Sequence, residues 1–460
     1  MRYSFSTWAR FSVLTLVGLL ALHRHGQAQS DLTSPYSIFG PGLVNQRQSV
    51  AQFSMGGSGA ALFDPYRMSL INPAASAFYQ EPIFETSGNG RISTFTTNVD
   101  AFENRSFELN NLSLSFPIKR GEWSLNVGLV PLTTVGYDVN VFEENDDATY
   151  LSSYFGDGGI SQGYLGTGAK IYSRVDTANN VTSIAVGGQM NFNFGTVNNS
   201  RRLTVFDDPT ALGFEDVESI LVRDVNFEIG IQAQTNLKKR SISDPSFFKF
   251  LFGAVYAFGA DLNAEQNSYA YNYRFSSGGS VVPRDTLRSA EQRKGSIFLP
   301  SAITIGTGFD WVNRKKTRLR LSADYAIQNW QDYEVNFEGD ILEADFEQST
   351  RYSIGLEWTP NISSTKYFKT IQYRAGFRYA ETNLNLRQQQ LEDIGMSFGL
   401  SLPINFRRGL TKSSFHIGAE VGEYGTTNDG LIREDYVRIM AGFSFTPHFR
   451  NRWFVQPKYD

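Results

Sequence analysis

Near the C-terminus of the chain, Phe415, Ile417, Ala419 and Val421 alternate with His416, Gly418, Glu420 and Gly422. A two-residue period sends successive side chains to opposite faces of a strand. Strand-like runs occupy about 83–98, 106–118, 122–141, 159–174, 180–198, 218–236, 247–265, 295–313, 316–332, 346–359, 368–382, 391–405, 413–423 and 435–446. Fourteen runs, an even number, each with one apolar and one polar face, predict an all-β fold. It is a 14-stranded antiparallel transmembrane β-barrel whose side chains face lipid and a polar lumen by turns.

The alternation also sorts the charges. Leu319, Leu321, Ala323 and Tyr325 face one way, so Arg318, Arg320, Ser322 and Asp324 face the other; Arg351 and Glu357, then Arg374 and Arg378, repeat the scheme on later strands. A charge facing lipid at mid-membrane costs about 2–4 kcal/mol. The expected lumen set is therefore Arg318, Arg320, Asp324, Arg351, Glu357, Arg374, Arg378, His416 and Glu420. It serves either as an interior ion-pair network or as contacts for a ligand or plug.

Links between runs alternate between tight (Lys119 to Glu122, Val175 to Asn179, Asn313 to Lys316) and long (about 142–158, 199–217, 266–294 and 333–345). Charge follows the same parity. Lys238-Lys239-Arg240, Arg314-Lys315-Lys316 and Arg407-Arg408 belong to one set, and Glu143 to Asp147, Asp207-Asp208 and Glu338 to Glu347 to the other. The expectation is long acidic loops outside the cell, where they are solvated or bind divalent cations. Tight links and both mature termini are then periplasmic.

Arg2 and Arg10 precede an apolar run from Phe11 to Leu22, and Gly26-Gln27-Ala28 offers a cleavage site, so residues 1–28 read as a secretory signal peptide. Residues 29–82 are too rich in Gly, Pro, Ser and Asn for spanning strands and are expected to fold into the lumen as a hatch. The barrel then covers 83–446, and 447–460 form a periplasmic tail. With no cysteine, disulfides and thiolate metal sites are excluded. A net charge of -4 gives no basic surface for nucleic acid. Two of four histidines lie in the signal peptide region, and His416 has only Ser413 and Ser414 nearby in sequence, at spacings that do not pair hydroxyl with imidazole. No enzyme activity and no cofactor are expected.

Met55-Gly56-Gly57-Ser58-Gly59-Ala60-Ala61 followed by Asn72-Pro73-Ala74-Ala75 resembles the start of the FadL/TodX outer-membrane transporters. The resemblance continues through Gly156-Asp157-Gly158-Gly159, Leu299-Pro300-Ser301-Ala302 with Gly306, Ala323-Asp324-Tyr325 with Asn329-Trp330, and Tyr373 to Tyr379. It implies a hatch-plugged barrel in the outer membrane that passes long-chain fatty acids or other hydrophobic molecules and releases them sideways into the bilayer. On that reading Met55, Gly56, Gly57, Asn72, Pro73 and Ala74 lie on the ligand path. Gly128, Pro131 and Gly136, which interrupt the third run, mark a lateral gate or an ordinary bulge. The chain departs from the family in having no apolar helix pair in its outer loops. The implied partners are outer-membrane lipid and a hydrophobic ligand. The alternative is an accessory barrel of the type IX secretion kind, holding a secreted or periplasmic protein at the cell surface.

Overall fold

A computed structural model describes residues 34–145, 148–177, 180–205, 211–238, 246–276, 280–337, 340–343, 346–404 and 412–447. The expected signal peptide and nearly all of the expected tail lie outside these. The wall strands are β1 (Ile83–Thr96), β2 (Ala101–Lys119), β3 (Trp123–Pro131 and Thr133–Asn145), β4 (Ala148–Val175), β5 (Val181–Val205), β6 (Gly213–Lys238), β7 (Phe247–Ala257 and Ala260–Phe275) and β8 (Val281–Leu299 and Ala302–Val312). They continue as β9 (Arg318–Gln328 and Glu334–Phe337), β10 (Asp340–Glu343 and Ser349–Thr359), β11 (Gln372–Leu386), β12 (Gln389–Pro403), β13 (Ser414–Gly425) and β14 (Arg433–Phe445). Each pairs antiparallel with its neighbours, and β14 pairs with β1 from Phe445↔Phe84 to Arg433↔Thr96, closing a 14-stranded barrel. The end where β1 starts and β14 stops is termed the near end, the other the far end.

Alternation is what makes the closed sheet a membrane wall. Leu321, Ile354, Leu356, Phe377, Ile417 and Val421 stand exposed on the outside, while Arg320, Glu357, Arg374, Arg378, His416 and Glu420 are buried inside. Trp123, Trp311 and Trp358 face outward at the near-end tips of β3, β8 and β10, as an interfacial aromatic girdle requires. About 9–11 residues suffice to span a bilayer as a tilted strand, yet β4 has 28 residues and β6 has 26. β3 to β8 therefore continue well past membrane height at the far end.

That overshoot corrects the loop expectation. Most of 142–158, 199–217 and 266–294 is ladder: β3 pairs with β4 out to Asn145↔Ala148, β5 with β6 out to Leu203↔Phe214, and β7 with β8 out to Phe275↔Val281. Past the bilayer the outer face meets water instead of lipid, so the polar-apolar contrast fades although pairing goes on and inner residues such as Tyr137, Val197 and Tyr273 stay buried. At the near end, by contrast, β10 and β11 are separated by residues 360–371 and β12 and β13 by 404–413, so link length does not mark the two ends. Of the acidic stretches, Asp146, Asp147, Asp207, Asp208, Glu338 and Asp345 lie outside the described residues, as do Lys239, Arg240, Arg407 and Arg408 of the basic ones.

Inside the ring runs the N-terminal segment. Ser34 starts it with a turn at Pro35–Ile38, Ser49 and Gln52 cap a helical turn at Val50–Phe53 reciprocally, and Asn72 caps a turn at Pro73–Phe78. The segment is seated on glycines that point into the lumen. A Cβ on Gly168 or Gly187 would strike Pro73 or Ala74, one on Gly230 would strike Asn72, and on Gly253 or Gly306 the collision would be with Ala60. Gly355 and Gly376 oppose Met55 and Gly56, Gly399 and Gly418 oppose Ser54, and Gly442 opposes Val50. These glycines belong to β4 through β8 and β10 through β14. A segment touching the inner face of that many strands lies within the lumen.

The interior is not uniformly polar, which amends the expectation from alternation. Toward the far end Tyr36, Trp330, Tyr333, Phe346, Leu384, Leu391, Tyr424 and Leu431 form one buried cluster with Ile160, Val222, Leu262 and Ile297. The apolar inner surface is covered because Tyr36, Trp330, Tyr333 and Phe346 fold onto it.

Replacement of Gly376 by Val is expected to unseat Met55 and Gly56 while the barrel still closes. Hydrogen exchange at residues 54–61 should lose its protection in Gly376→Val and keep it in Gly163→Ala, where an added Cβ makes only ordinary contacts.

Candidate functional site

The wall parts between β2 and β3. Their ladder runs from Lys119↔Trp123 to Leu112↔Leu129 and stops there, while residues 101–111 of β2 pair only with β1. Among the described residues no rung joins 101–111 to 130–145. Pro131, which has no N–H to donate, stands just past the last rung. Leu132 gives its N–H to Ile160 of β4 at 2.8 Å, whereas its carbonyl accepts from Asn45 at 2.9 Å on the other side. A residue whose two backbone groups serve opposite sides is out of strand geometry, and β3 breaks there. The bend passes into the neighbouring strands through Gly159 (φ 139°) and Gly195 (φ 155°), whose missing Cβ atoms would strike Thr133 and Gly159 backbone. Gly128 lies below the break under the Tyr164 ring.

Past the break the free edge of β3 is covered from inside by the N-terminal segment. Leu43 and Val44 pair with Thr134 and Thr133, Ser34 donates its N–H to the Gly136 carbonyl at 3.1 Å, and Gly136 donates to Ser37 Oγ at 3.0 Å. Asn45 Nδ2 adds a bond to Thr134 Oγ1 at 2.7 Å. Gly128, Pro131 and Gly136 thus all lie along the break, and Gly136 is a contact point of the segment. Ser34 and Tyr36, the latter bonded to the Ile432 carbonyl at 2.7 Å, lie toward the far end, whereas Tyr79 leaves the lumen beside Gly121 at the near end.

On the far side of the segment is a chamber of about 360 Å³, lined by Leu43 to Gln48 and Gly57 of the segment and by Val255, Leu299, Ile327, Trp330, Arg351, Arg378, Asp393, Tyr424 and Arg438 of the wall. Of the residues expected on a ligand path, Gly57 lines it. Met55, Gly56, Asn72, Pro73 and Ala74 are instead buried against wall glycines. Asn72 Nδ2 donates to the Ala60 and Ile231 carbonyls at 2.9 and 3.0 Å, tying the segment to itself and to β6.

The charged lumen residues fall into separate groups. Toward the near end Glu357 accepts from Arg374 at 2.7 Å and meets Arg67 and Arg320 at 3.5 Å, while Asp310 takes Arg318 at 2.6 Å. The segment enters this group through Arg67 and Asp64, paired at 2.6 Å. Burial works to raise the Asp64 carboxyl, but the guanidiniums of Arg67 and Arg320 outweigh it and hold the group well below the ordinary carboxylate range. The stabilisation this represents is fully present above an unfolded carboxylate's pKa of about 4 and is lost as pH falls through the lowered native value.

The second group lies higher: Arg378 binds Asp393 at 3.0 Å and Glu420 at 3.2 Å, Glu420 also takes Arg438 at 2.9 Å, and Arg91 binds Glu434 at 2.7 Å. Asp324 stands between the groups; its Oδ2 accepts the N–H of Gly59 at 2.7 Å and of Ala60 at 2.8 Å. His416 joins an oriented relay: Arg374 donates to Ser401, Ser401 to Nδ1, and Nε2 to Ser444 at 2.9 Å. Ser444 then donates to Glu85 at 2.8 Å, which also accepts the Met68 N–H of the segment. Arg351 joins none of these.

Several partners were missed from sequence. Ser401 and Ser444, not Ser413 or Ser414, flank the imidazole because β12 and β14 are neighbours of β13, with Ser401↔His416 directly opposite. Inward parity on adjacent strands was the available signal. Asp393 and Glu85 carry the same signal, but Asp64 and Arg67 carry none, since no periodicity spans their segment. Both serines are fully buried, which gives the relay a structural role. Among the described residues no group of three carboxylate or imidazole side chains is arranged to hold a metal ion.

A closed β-barrel with an apolar outer face and a polypeptide segment seated in its lumen defines an outer-membrane barrel of the plugged type. Within that class the chain belongs to the BamG family, whose family model matches residues 11–460. No curated protein matches it. Solved structures that share the fold include a Pseudomonas aeruginosa FadL homologue, at 13% identity and a TM-score of 0.54, covering 89% of this chain and 100% of that one. The Ralstonia pickettii toluene transporter TbuX matches at 14% and 0.53, covering 88% and 100%. The CymD monoaromatic hydrocarbon channel matches at 14% and 0.51, covering 89% and 100%. The resemblance to FadL/TodX barrels therefore holds at the level of fold.

Glu357→Ala would leave three guanidiniums facing one another without their shared carboxylate, and breaking a buried ion network by removing one partner costs about 3–5 kcal/mol. Denaturant unfolding in detergent is expected to show a loss of that size. Asp324→Asn, which keeps an acceptor but not its charge, is expected to cost about 1–2 kcal/mol.

Proposed function

We propose that the protein is a passive outer-membrane channel for hydrophobic small molecules, long-chain fatty acids among the candidates. The observation that carries this reading is the break between β2 and β3, whose edge is covered by the same segment that floors the chamber. A ligand approaches along the apolar far-end cluster, reaches the chamber, and leaves sideways between β2 and β3 when residues 34–45 let go of the β3 edge. The far end then faces outward and the near end the periplasm. Residues 1–28 direct export, 29–82 act as a hatch, and 447–460 stay periplasmic. Gly128, Pro131 and Gly136 serve as the bend that keeps the gate open to lipid. The fold shared with the toluene transporter and the monoaromatic hydrocarbon channel is consistent with this reading.

One observation favours a second reading, an accessory barrel for proteins: β3 to β8 project past membrane height as paired ribbons. Purification from native membranes in mild detergent separates the two. A bound apolar ligand favours passage, whereas an empty barrel with one reproducible protein partner favours the accessory role.

The native chain has no cysteine, so a disulfide between Asn45→Cys and Thr134→Cys tests the gate cleanly. Uptake of a hydrophobic probe into proteoliposomes is expected to fall at least about tenfold on oxidation and to recover on reduction. Unchanged uptake by the oxidised barrel would remove the segment from the path. Pro131→Val is expected to reduce uptake as well; wild-type rates would make the bend an ordinary bulge.

A further inference from the structure

Two links at the near end are fused into one platform. The tight turn between β8 and β9 meets the link 360–371 between β10 and β11 through the backbone. Ile362 donates its N–H to the Lys316 carbonyl at 3.0 Å, and Asn361 Nδ2 donates to the Lys315 carbonyl at 3.2 Å. The longer link is also folded on itself: Asn361 donates its N–H to the Lys369 carbonyl at 2.8 Å, and Thr370 donates to the Tyr367 carbonyl at 2.9 Å. These bonds hold the side chains of both links in one fixed arrangement.

The platform displays cations without acids. Arg314, Lys315, Lys316, Lys366 and Lys369 are all exposed, and neither 313–317 nor 360–371 contains an Asp or Glu. The four lysines form no ion pair with a described residue. On the link between β2 and β3, by contrast, Lys119 pairs with Glu122 at 2.5 Å and Arg120 with Glu81 at 3.4 Å. Among the platform's cations Phe368 is 75% exposed and Tyr367 is 47% exposed, an apolar area that is costly to leave in water.

The lipid-facing wall runs up to this patch. Trp311 and Trp358 stand outward at the tips of β8 and β10, just before the two links. Tyr373, in the outward row with Phe377, lies with its ring 5.5 Å from that of Trp358 and donates its hydroxyl to the Phe368 carbonyl at 3.2 Å. Phe368 is therefore tied to the outside of the barrel at the height of the girdle, away from the mouth of the lumen. Aromatic rings favour the membrane–water interface. Lysine stems lie along apolar surface while the ammonium stays among polar groups, and clustered cations beside a membrane attract anionic lipid.

We propose that this platform is a binding site for an anionic phospholipid of the near-end leaflet. Lys315, Lys366 and Lys369 hold the headgroup phosphate, and the acyl chains lie against Phe368, Tyr373 and Trp358. The contact occupies one sector of the ring and uses no residue of the lumen. It rests on the passage reading only for the side of the membrane, since a periplasmic near end makes this the inner leaflet.

Native mass spectrometry of the full-length barrel, released from micelles doped equally with phosphatidylglycerol and phosphatidylcholine of matched chains, tests it. Phosphatidylglycerol is expected to be retained at least about tenfold over phosphatidylcholine. The preference should vanish when Lys315→Gln, Lys366→Gln and Lys369→Gln are combined and persist when the same three lysines are replaced by Arg. Phe368→Ser should lower retention of phosphatidylglycerol, whereas Lys119→Gln with Arg120→Gln, at cations already paired, should change nothing. If the triple Gln variant fails to give a heat-resistant barrel, Lys366→Gln with Lys369→Gln, both on the longer link, carries the test. Equal retention of the two lipids by the native barrel, or a preference that survives the Gln substitutions, would overturn the lipid site. Capture of a poly-glutamate peptide that these substitutions abolish, with no preference between lipids, would overturn it in favour of an acidic protein. Uptake of a hydrophobic probe into phosphatidylcholine vesicles is expected to be unchanged in the triple Gln variant, so the lipid site and the passage reading fail separately.

Discussion

Everything inside this barrel depends on backbone meeting backbone. The N-terminal segment lies so close to the wall that a single carbon added at Gly187, Gly253, Gly376 or Gly399 would overlap it. Glycine in a strand interior costs about 0.5–1 kcal/mol relative to alanine, and the wall bears this cost on ten of its strands. Burial of residues such as Phe53, Ala60, Ala74 and Phe78 on the seat offsets it, together with the charge-assisted bonds from Asp324 to Gly59 and Ala60. Close seating also brings Asp64 and Arg67 within reach of Arg320 and Glu357, so the near-end ion network follows from the glycines.

The lumen is divided by solvation. Toward the near end, charges are buried in mutually neutralising groups that the segment completes; toward the far end, aromatic and aliphatic side chains exclude water. The chamber lies where the two regimes meet. An ion network and a dry cluster would each resist an intruding ligand, and a boundary between them is where a molecule with both kinds of surface is tolerated.

Much of this was legible in the chain. Strand number, facing and the inward set followed from the two-residue period, because only a wall with lipid on one side enforces it. The break in β3 was marked by Pro131, whose missing N–H is a local property. What the period could not carry was anything beyond the bilayer, where β4 to β6 keep pairing without contrast between their faces. Nor could it carry the company each side chain keeps. Arg351 reads like Arg378 in sequence, yet Arg378 pairs with Asp393 and Glu420 and Arg351 with neither, although Asp393 stands in the row of Arg351, beyond Ala380. The inner seat itself was written as Gly306, Gly355, Gly376, Gly399 and Gly418, one per strand, but it becomes readable only after the register aligns them.

The seat also bears on how the ring is held shut. The segment precedes β1 in the chain, and its Tyr36 is bonded to Ile432 on the link just before β14. The Ile432 N–H in turn donates to the Tyr36 hydroxyl. The link that delivers the closing strand is thus pinned by the plug, and the seam between β14 and β1 and the seat of the segment share one support.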